Sequence, residues 1–298
     1  MEAVWQWGLD FIHTIQLVHG PALDAFFKAI TFMGEEEFFM IVLPLILWCV
    51  DFAVGIRVGV IFLLSPYVNG VFKDWFDDPR PFELDPTVQR YFSGAEGYGL
   101  PSGHSQNSVV LWGAVAASFR KTWLWVVAIL LPVMVGFSRV YLGVHFPSDV
   151  LGGWTIGVVL LAVYLRLGPR IEAWLREREL VWQLALAVAV PLVLLLLYST
   201  ASAAVSSIAV LMGLGIGGVL TRQMVPFSAA GPLWQRAVRF LVGLVGMGIL
   251  YLGLSAVFPS EGEPLYFIMR VVRYALMGLW AGLGAPWLFL RLRLASSE

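Results

Sequence analysis

Apolar residues run through this chain in long blocks, separated by short clusters of charge, proline and glycine. The blocks are too long for strands and too evenly apolar for helices with one wet face. Residues 181–221 carry no charged side chain over roughly forty positions, enough for two bilayer crossings at about 20 residues each. The pattern predicts nine membrane-spanning helices, near residues 29–50, 53–74, 103–119, 122–141, 148–167, 181–198, 203–220, 238–257 and 267–290. Residues 1–20 are mixed and amphipathic, and are expected to lie along the membrane surface. The charged stretch GPRIEAWLREREL, 168–180, reads as a linker or surface helix. The expected organisation is an N-terminal interfacial segment (1–24), a five-span core (25–167), the charged linker (168–180) and a four-span C-terminal region (181–298). No sequence repeat relates the two halves.

Composition supports the all-α class, a polytopic transmembrane helical bundle. Of 298 residues, 59% are hydrophobic and 13% charged, about half the charged share of a soluble domain. No short apolar segment with a small-residue cleavage site precedes the first span, so a cleaved signal peptide is not expected. A formal net charge of −1 without a basic cluster gives no sign of a nucleic-acid partner. Cys49 is the single cysteine, so no intrachain disulfide exists. Thirteen Trp and nine Tyr supply interfacial aromatic belts.

Charge sets the expected orientation. The face that carries the 75–102 loop holds Lys73, Arg80, Arg90, Arg139, Arg270 and Arg273, with acidic residues such as Glu35–Glu37, Asp77, Asp78, Glu96 and Glu261. The opposite face holds a larger set of Arg and Lys, from Arg57 and Lys121 to Arg293. By the positive-inside rule the loop face is outside or lumenal, with an outside N-terminus and a cytoplasmic C-terminus.

The unusual polar residues gather on that outer face. Lys73 and Arg80 stand at and just past the end of the second span, in FKDWFDDPRP. Ser102, Gly103 and His104 open the third, in LPSGHSQ, and Ser138 and Arg139 close the fourth. His145 and Asp149 open the fifth, in SRVYLGVHFPSDV. Three cations suit a phosphoryl group, and arginine adds paired donors matched to its oxygens. Ser102 is expected as an N-cap, and Gly103 lets backbone N–H groups come close to an anion at a helix start. Asp149 can fix one nitrogen of His145 and leave the other free to attack. His104 then remains as proton donor to a leaving oxygen. Each of these motifs is weak alone, and their convergence on one face is the signal.

These residues carry a family resemblance. Lys73, six residues and Arg80-Pro81; then PSGH at 101–104; then Ser138-Arg139, five residues, His145, three residues and Asp149 reproduce in order the three signatures of the type 2 phosphatidic acid phosphatase superfamily. The resemblance implies that His145 is the nucleophile that forms a phosphohistidine, with Asp149 orienting it and His104 as general acid. Lys73, Arg80, Ser102, Gly103 and Arg139 would bind the phosphoryl oxygens, with no metal and no other cofactor. The implied partners are a lipid phosphate substrate and the surrounding lipids, and the implied activity is removal of phosphate from a lipid monoester outside the cytoplasm. A polyprenyl diphosphate such as undecaprenyl diphosphate, transfer of the phosphoryl group to a second lipid, and a sugar phosphate are the alternatives. The span count resembles the glucose-6-phosphatase layout, whereas membrane embedding disfavours the family's haloperoxidase chemistry.

Other features take plainer readings. His13 and His19 are expected to be structural hydrogen bonders. Gly213/Gly217 and Gly278/Gly282 have the spacing of close helix packing. Arg270 and Arg273 read as headgroup anchors. Glu35–Glu37 reads as a helix-start cap, or else as a partner restraining Lys73 or Arg80. The 77–102 loop, with Phe82, Tyr91, Phe92 and Tyr98, is a candidate lid.

Overall fold

A computed structural model describes residues 2–91 and 97–296; Phe92 and Glu96 lie outside the described residues. Most of the long helices follow the apolar blocks of the sequence. In chain order they are α1 (Glu2–Gln16), α2 (Pro21–Phe32), α3 (Glu36–Cys49), α4 (Phe52–Phe76), α5 (Pro81–Leu84), α6 (Gly103–Phe119), α7 (Thr122–Tyr141) and α8 (Pro147–Arg176). Then come α9 (Leu180–Leu197), α10 (Ser202–Met224), α11 (Leu233–Val257), α12 (Tyr266–Leu279) and α13 (Ala285–Arg291). A π-helical turn, Trp280–Gly284, joins the last two.

Seven segments among the described residues are long and apolar enough to cross a membrane. The two other expected spans are shorter helices. The segment 29–50 is broken at Met33–Glu35 between α2 and α3, leaving α3 with 14 residues. The 17-residue α6 is less apolar because it presents Ser105, Gln106 and Ser108 to the protein interior, where all three are buried. The charged stretch after residue 167 continues α8 through Pro169 to Arg176.

The chain divides into two compact units. The first comprises Met1–Phe39 and Val68–Arg166 and contains all the residues singled out above for phosphate chemistry. Its centre is the contact between α6 and α7 and the seat of α8 on the Pro101–His104 turn. Gly153 allows that seat: a Cβ there would lie 2.4 Å from the Ser102 carbonyl oxygen. One face of α1 buries Leu9 and Ile12 in a cluster with Val88, Val140, Phe146 and Val150. Its other face leaves Val4, Trp7 and Phe11 exposed, as in an amphipathic helix.

The second unit comprises Met40–Tyr67 and Leu167–Glu298. Its tightest contact is between α10 and α12 with the π turn. A Cβ on Gly213 would lie 1.9 Å from the Ala275 carbonyl oxygen, and one on Gly278 would lie 2.1 Å from that of Val210. Gly217 meets Gly282 in the same way. The small-residue stripes thus face each other within one chain, where close backbone approach supplies van der Waals contact. Arg270 donates to Ser206 Oγ and to the Tyr266 hydroxyl at 2.9 and 2.7 Å, so its guanidinium is tied into this unit.

Candidate active site

Four stretches of the first unit meet at one site: the end of α4 with the segment that follows it, the start of α6, the end of α7, and the turn into α8. The α7–α8 turn is pinned from behind. Gly143 adopts a left-handed φ of +72°, and a Cβ there would lie 2.3 Å from the Gln89 carbonyl oxygen, so only glycine fits. Gln16 of α1 donates to the Gln89 and Tyr141 carbonyls at 2.8 and 3.3 Å, and accepts from the Gln89 N–H at 3.0 Å. These bonds fix the backbone that carries His145.

His145 is the innermost of the reactive groups, 2% exposed. Its Nδ1 lies 3.1 Å from Asp149 Oδ2, which also accepts the Phe146 N–H at 2.9 Å. The i to i+4 relation at the start of α8 sets this pair, and Asp149 is fully buried. With the proton on Nδ1 held by the carboxylate, Nε2 carries the free lone pair. That atom is 3.4 Å from Arg80 Nη1. Burial, followed by the charges of Arg80, Arg139 and Lys73, holds the imidazole well below its ordinary protonation range. The ring is therefore neutral at neutral pH, the state a nucleophile requires.

The cations are positioned by backbone carbonyls. Arg80, 3% exposed, donates Nε to the Gly97 carbonyl at 2.7 Å and Nη1 to that of Val144 at 2.8 Å. Lys73 Nζ donates to the Tyr98 carbonyl. Arg139 is 1% exposed and donates Nη1 to Thr31 Oγ1 at 2.7 Å. Buried cations in a mostly apolar unit are costly unless an anion accompanies them. The flanks of the 77–102 loop are held to the site as well, since the Gly99 N–H donates to the Asp78 carbonyl at 2.7 Å. Asp78 in turn accepts from Trp5 Nε1 at 3.1 Å.

Ser102 caps α6, accepting from the N–H and the hydroxyl of Ser105 at 3.5 and 3.0 Å. Its own N–H donates to the Asp149 carbonyl at 2.9 Å, so the anion-favouring start of α6 is tied to the start of α8. Asn69, one helical turn before Lys73, supports the turn from α4. It donates to Gln106 Oε1 at 3.0 Å and to the Pro101 carbonyl at 3.3 Å. A Cβ on Gly103 would lie 3.1 Å from Asn69 Oδ1.

All eight expected site residues therefore lie in this neighbourhood: Lys73, Arg80, Ser102, Gly103, His104, Arg139, His145 and Asp149. The sequence reading missed Asn69, Gln16, Thr31 and the contact of Glu35 with His104. Glu35 pairs with neither Lys73 nor Arg80. The Met33–Glu35 turn instead places its Oε1 3.0 Å from His104 Nε2 and 3.9 Å from Arg139 Nη1. The His104 approach is close but not well aligned as a hydrogen bond, so it is a polar contact that becomes an ion pair only when the ring carries a second proton. His13 and His19 stay structural: His13 Nε2 meets Asp85 Oδ2 at 3.0 Å, and the His19 ring packs on Tyr91.

Comparison with known proteins agrees with the residue pattern. Residues 54–172 match the PAP2 superfamily, and residues 205–297 match its phosphatase transmembrane extension. The chain is 31% identical over 157 residues to phosphatidylglycerophosphatase B of Bacillus subtilis, covering 48% of this chain and 74% of that protein. The chain belongs to the PAP2 superfamily. It is also 28% identical to lipid phosphate phosphatase delta of Arabidopsis thaliana, over 58% of this chain and 45% of the plant protein. Undecaprenyl-diphosphatase of Sulfolobus acidocaldarius is 33% identical over 35% of this chain and half of its own length. A solved PAP2-type phosphatidylglycerolphosphate phosphatase from B. subtilis superposes with a TM-score of 0.50 at 26% identity, covering 57% of this chain and 89% of that one. The chain spans less than half of the plant relative and about three quarters of the bacterial one. As a PAP2 superfamily member with several apolar helices and the superfamily's transmembrane extension, it is an integral membrane protein.

Proposed function

We propose that this protein is a phosphatase that removes phosphate from a lipid phosphate monoester on the extracytoplasmic face of the membrane, through a phosphohistidine. One observation carries the reading: His145 holds its Nδ1 against a buried carboxylate and turns Nε2 toward Arg80, with Lys73, Arg139 and the start of α6 alongside. In the first step Nε2 of His145 bonds to phosphorus as the bond to the lipid oxygen breaks, and His104 gives that oxygen its proton. Water then attacks, the P–N bond breaks, and His104 takes a proton from the water. Lys73, Arg80, Arg139, Ser102 and the Gly103 N–H balance the charge on the phosphoryl oxygens. Charge is supplied by fixed cations, so the chemistry needs no metal. The reacting residues fall within the 25–167 core, outside the C-terminal four-span region.

A substrate whose headgroup sits at the ends of membrane helices keeps its tails in the bilayer, which favours lipids over soluble phosphates. The likeness to an undecaprenyl-diphosphatase supports a second reading, cleavage of the phosphoanhydride of a polyprenyl diphosphate by the same residues. Phosphate release from purified lipid phosphates, polyprenyl diphosphates and sugar phosphates, with and without EDTA, separates these. Release from a lipid monoester that EDTA leaves unchanged is the expected result. Release from sugar phosphate alone, or dependence on added metal, contradicts the proposal. Labelled phosphate in an acceptor lipid would identify a phosphotransferase instead.

The neutral His145 imidazole gives a pH prediction. Protonation blocks attack, and the depressed pKa postpones protonation to lower pH. The acid limb of kcat/KM is therefore expected below about 6.5, the ordinary histidine value. It is measured with two substrates whose phosphates ionise at different pH, so that a shared limb belongs to the free enzyme. A shared limb at or above that value would show a ring that is not held neutral.

A further inference from the structure

Each histidine of the site has its own carboxylate, and only one of these pairs is visible as a motif. Asp149 serves His145 from the next helical turn. Glu35 reaches His104 from a different element, the turn between α2 and α3, with 3.0 Å between Oε1 and Nε2. That turn is fitted to the ring. The Gly34 backbone comes so near that a Cβ would lie 2.8 Å from His104 Cδ2 and 3.0 Å from Val135 Cγ1. A turn that merely capped α3 would not require this approach.

The electrostatic surroundings give the contact a purpose. The ring is faced by Arg139 of α7 and Lys73 of α4, with His145 across the site. Glu35 is faced by His104 and Arg139. Burial, followed by the charge of Arg139, opposes a positive charge on His104, and Glu35 is the carboxylate in contact that offsets part of this cost. The side chains of Glu35 and His104 are only 23% and 19% exposed, so solvent screens the pair weakly.

We propose that Glu35 is the positioning residue of the proton donor: its carboxylate lies against Nε2 of His104, favours a proton on that nitrogen and stabilises the imidazolium, leaving Nδ1–H to protonate the leaving oxygen. The inference rests on the phosphohistidine reading of the site. As P–N forms and P–O breaks, the Nδ1 proton moves to the leaving oxygen and neutral His104 keeps its Nε2–H against Glu35. As water attacks and P–N breaks, a water proton returns to Nδ1 and restores the imidazolium.

The test uses the full-length protein in detergent with Glu35→Ala, the charge-preserving Glu35→Asp, and Glu37→Gln as a control for loss of a neighbouring exposed charge. Histidine ¹⁵N NMR, with His104 assigned from its loss in His104→Ala, reports which nitrogen holds the proton of the neutral ring. The wild type and E37Q are expected to show the Nε2–H form, E35A a mixture, and E35D a recovery toward the wild type. In E35A the alkaline limb of kcat/KM moves to lower pH by about one unit, a tenfold change in the protonation equilibrium. Its rate loss is larger for an alkyl phosphate than for p-nitrophenyl phosphate. A folded E35A protein with an unchanged tautomer and an unmoved limb overturns the proposal. So does tighter inhibition by orthophosphate with an unmoved limb, which would make Glu35 a competitor for Arg139. Failure of the underlying reading is separately legible, because the wild-type protein would then release no phosphate while the NMR signal still reports the pair.

Discussion

Replacing His145 with alanine is expected to reduce turnover of a lipid phosphate to background. Loss of a covalent nucleophile that acts with its partners as a unit costs on the order of 10⁶-fold. No other described group is placed to substitute. Asp149 is fully buried behind the ring, and His104 is held against Glu35. The alanine protein should keep its fold, because the turn is fixed by backbone bonds rather than by the imidazole. Gln16 ties the Gln89 and Tyr141 carbonyls, and the Val144 N–H donates to the Arg139 carbonyl at 3.1 Å. A steady-state assay on folded H145A decides the point, and a rate within tenfold of the wild type would remove His145 from the nucleophile's role.

The second large effect belongs to His104, and its size depends on the leaving group. An alkoxide leaving from a lipid phosphate is strongly basic and needs a proton as the P–O bond breaks. His104→Ala is therefore expected to lower kcat/KM by about 10²–10⁴-fold, the usual span for general acid catalysis. A p-nitrophenolate leaves without help, so the same variant should lose less than about tenfold on p-nitrophenyl phosphate. This contrast separates proton donation from simple phosphate binding, since a lost phosphate contact would slow both substrates equally. Equal losses on the two would assign His104 to binding instead.

Much of this was legible in the sequence, for identifiable reasons. Lys73, Arg80, Ser102, Arg139, His145 and Asp149 were readable because polar groups are rare in an apolar chain and because alternate spans return to one face. Asp149 was also readable through its local i to i+4 relation to His145. Glu35 and Thr31 were not, since each meets its partner across elements far apart in sequence. Thr31 bonds Arg139 through a side chain at the end of α2, and nothing in the local spacing announces it. Asn69 was hidden differently: inside an apolar block it resembles an incidental polar residue, and its bonds to Gln106 and Pro101 exist only once α4 and α6 meet. The span count shows the same limit. Hydropathy marked 103–119 as a span like the others, and the helix stands there as the 17-residue α6, with Gln106 and Ser108 buried against protein. It also marked 29–50 as continuous, although the turn at Gly34 and Glu35 divides it to reach His104.

The central claim is that the phosphoryl group passes through His145. The direct measurement is a rapid quench of the wild-type protein turning over a ³²P-labelled lipid phosphate, followed by mapping of the labelled peptide. The account predicts an acid-labile, base-stable label on the peptide that carries His145, formed and lost as fast as phosphate is released. Turnover with no trapped label, or a label on any other residue, would contradict it.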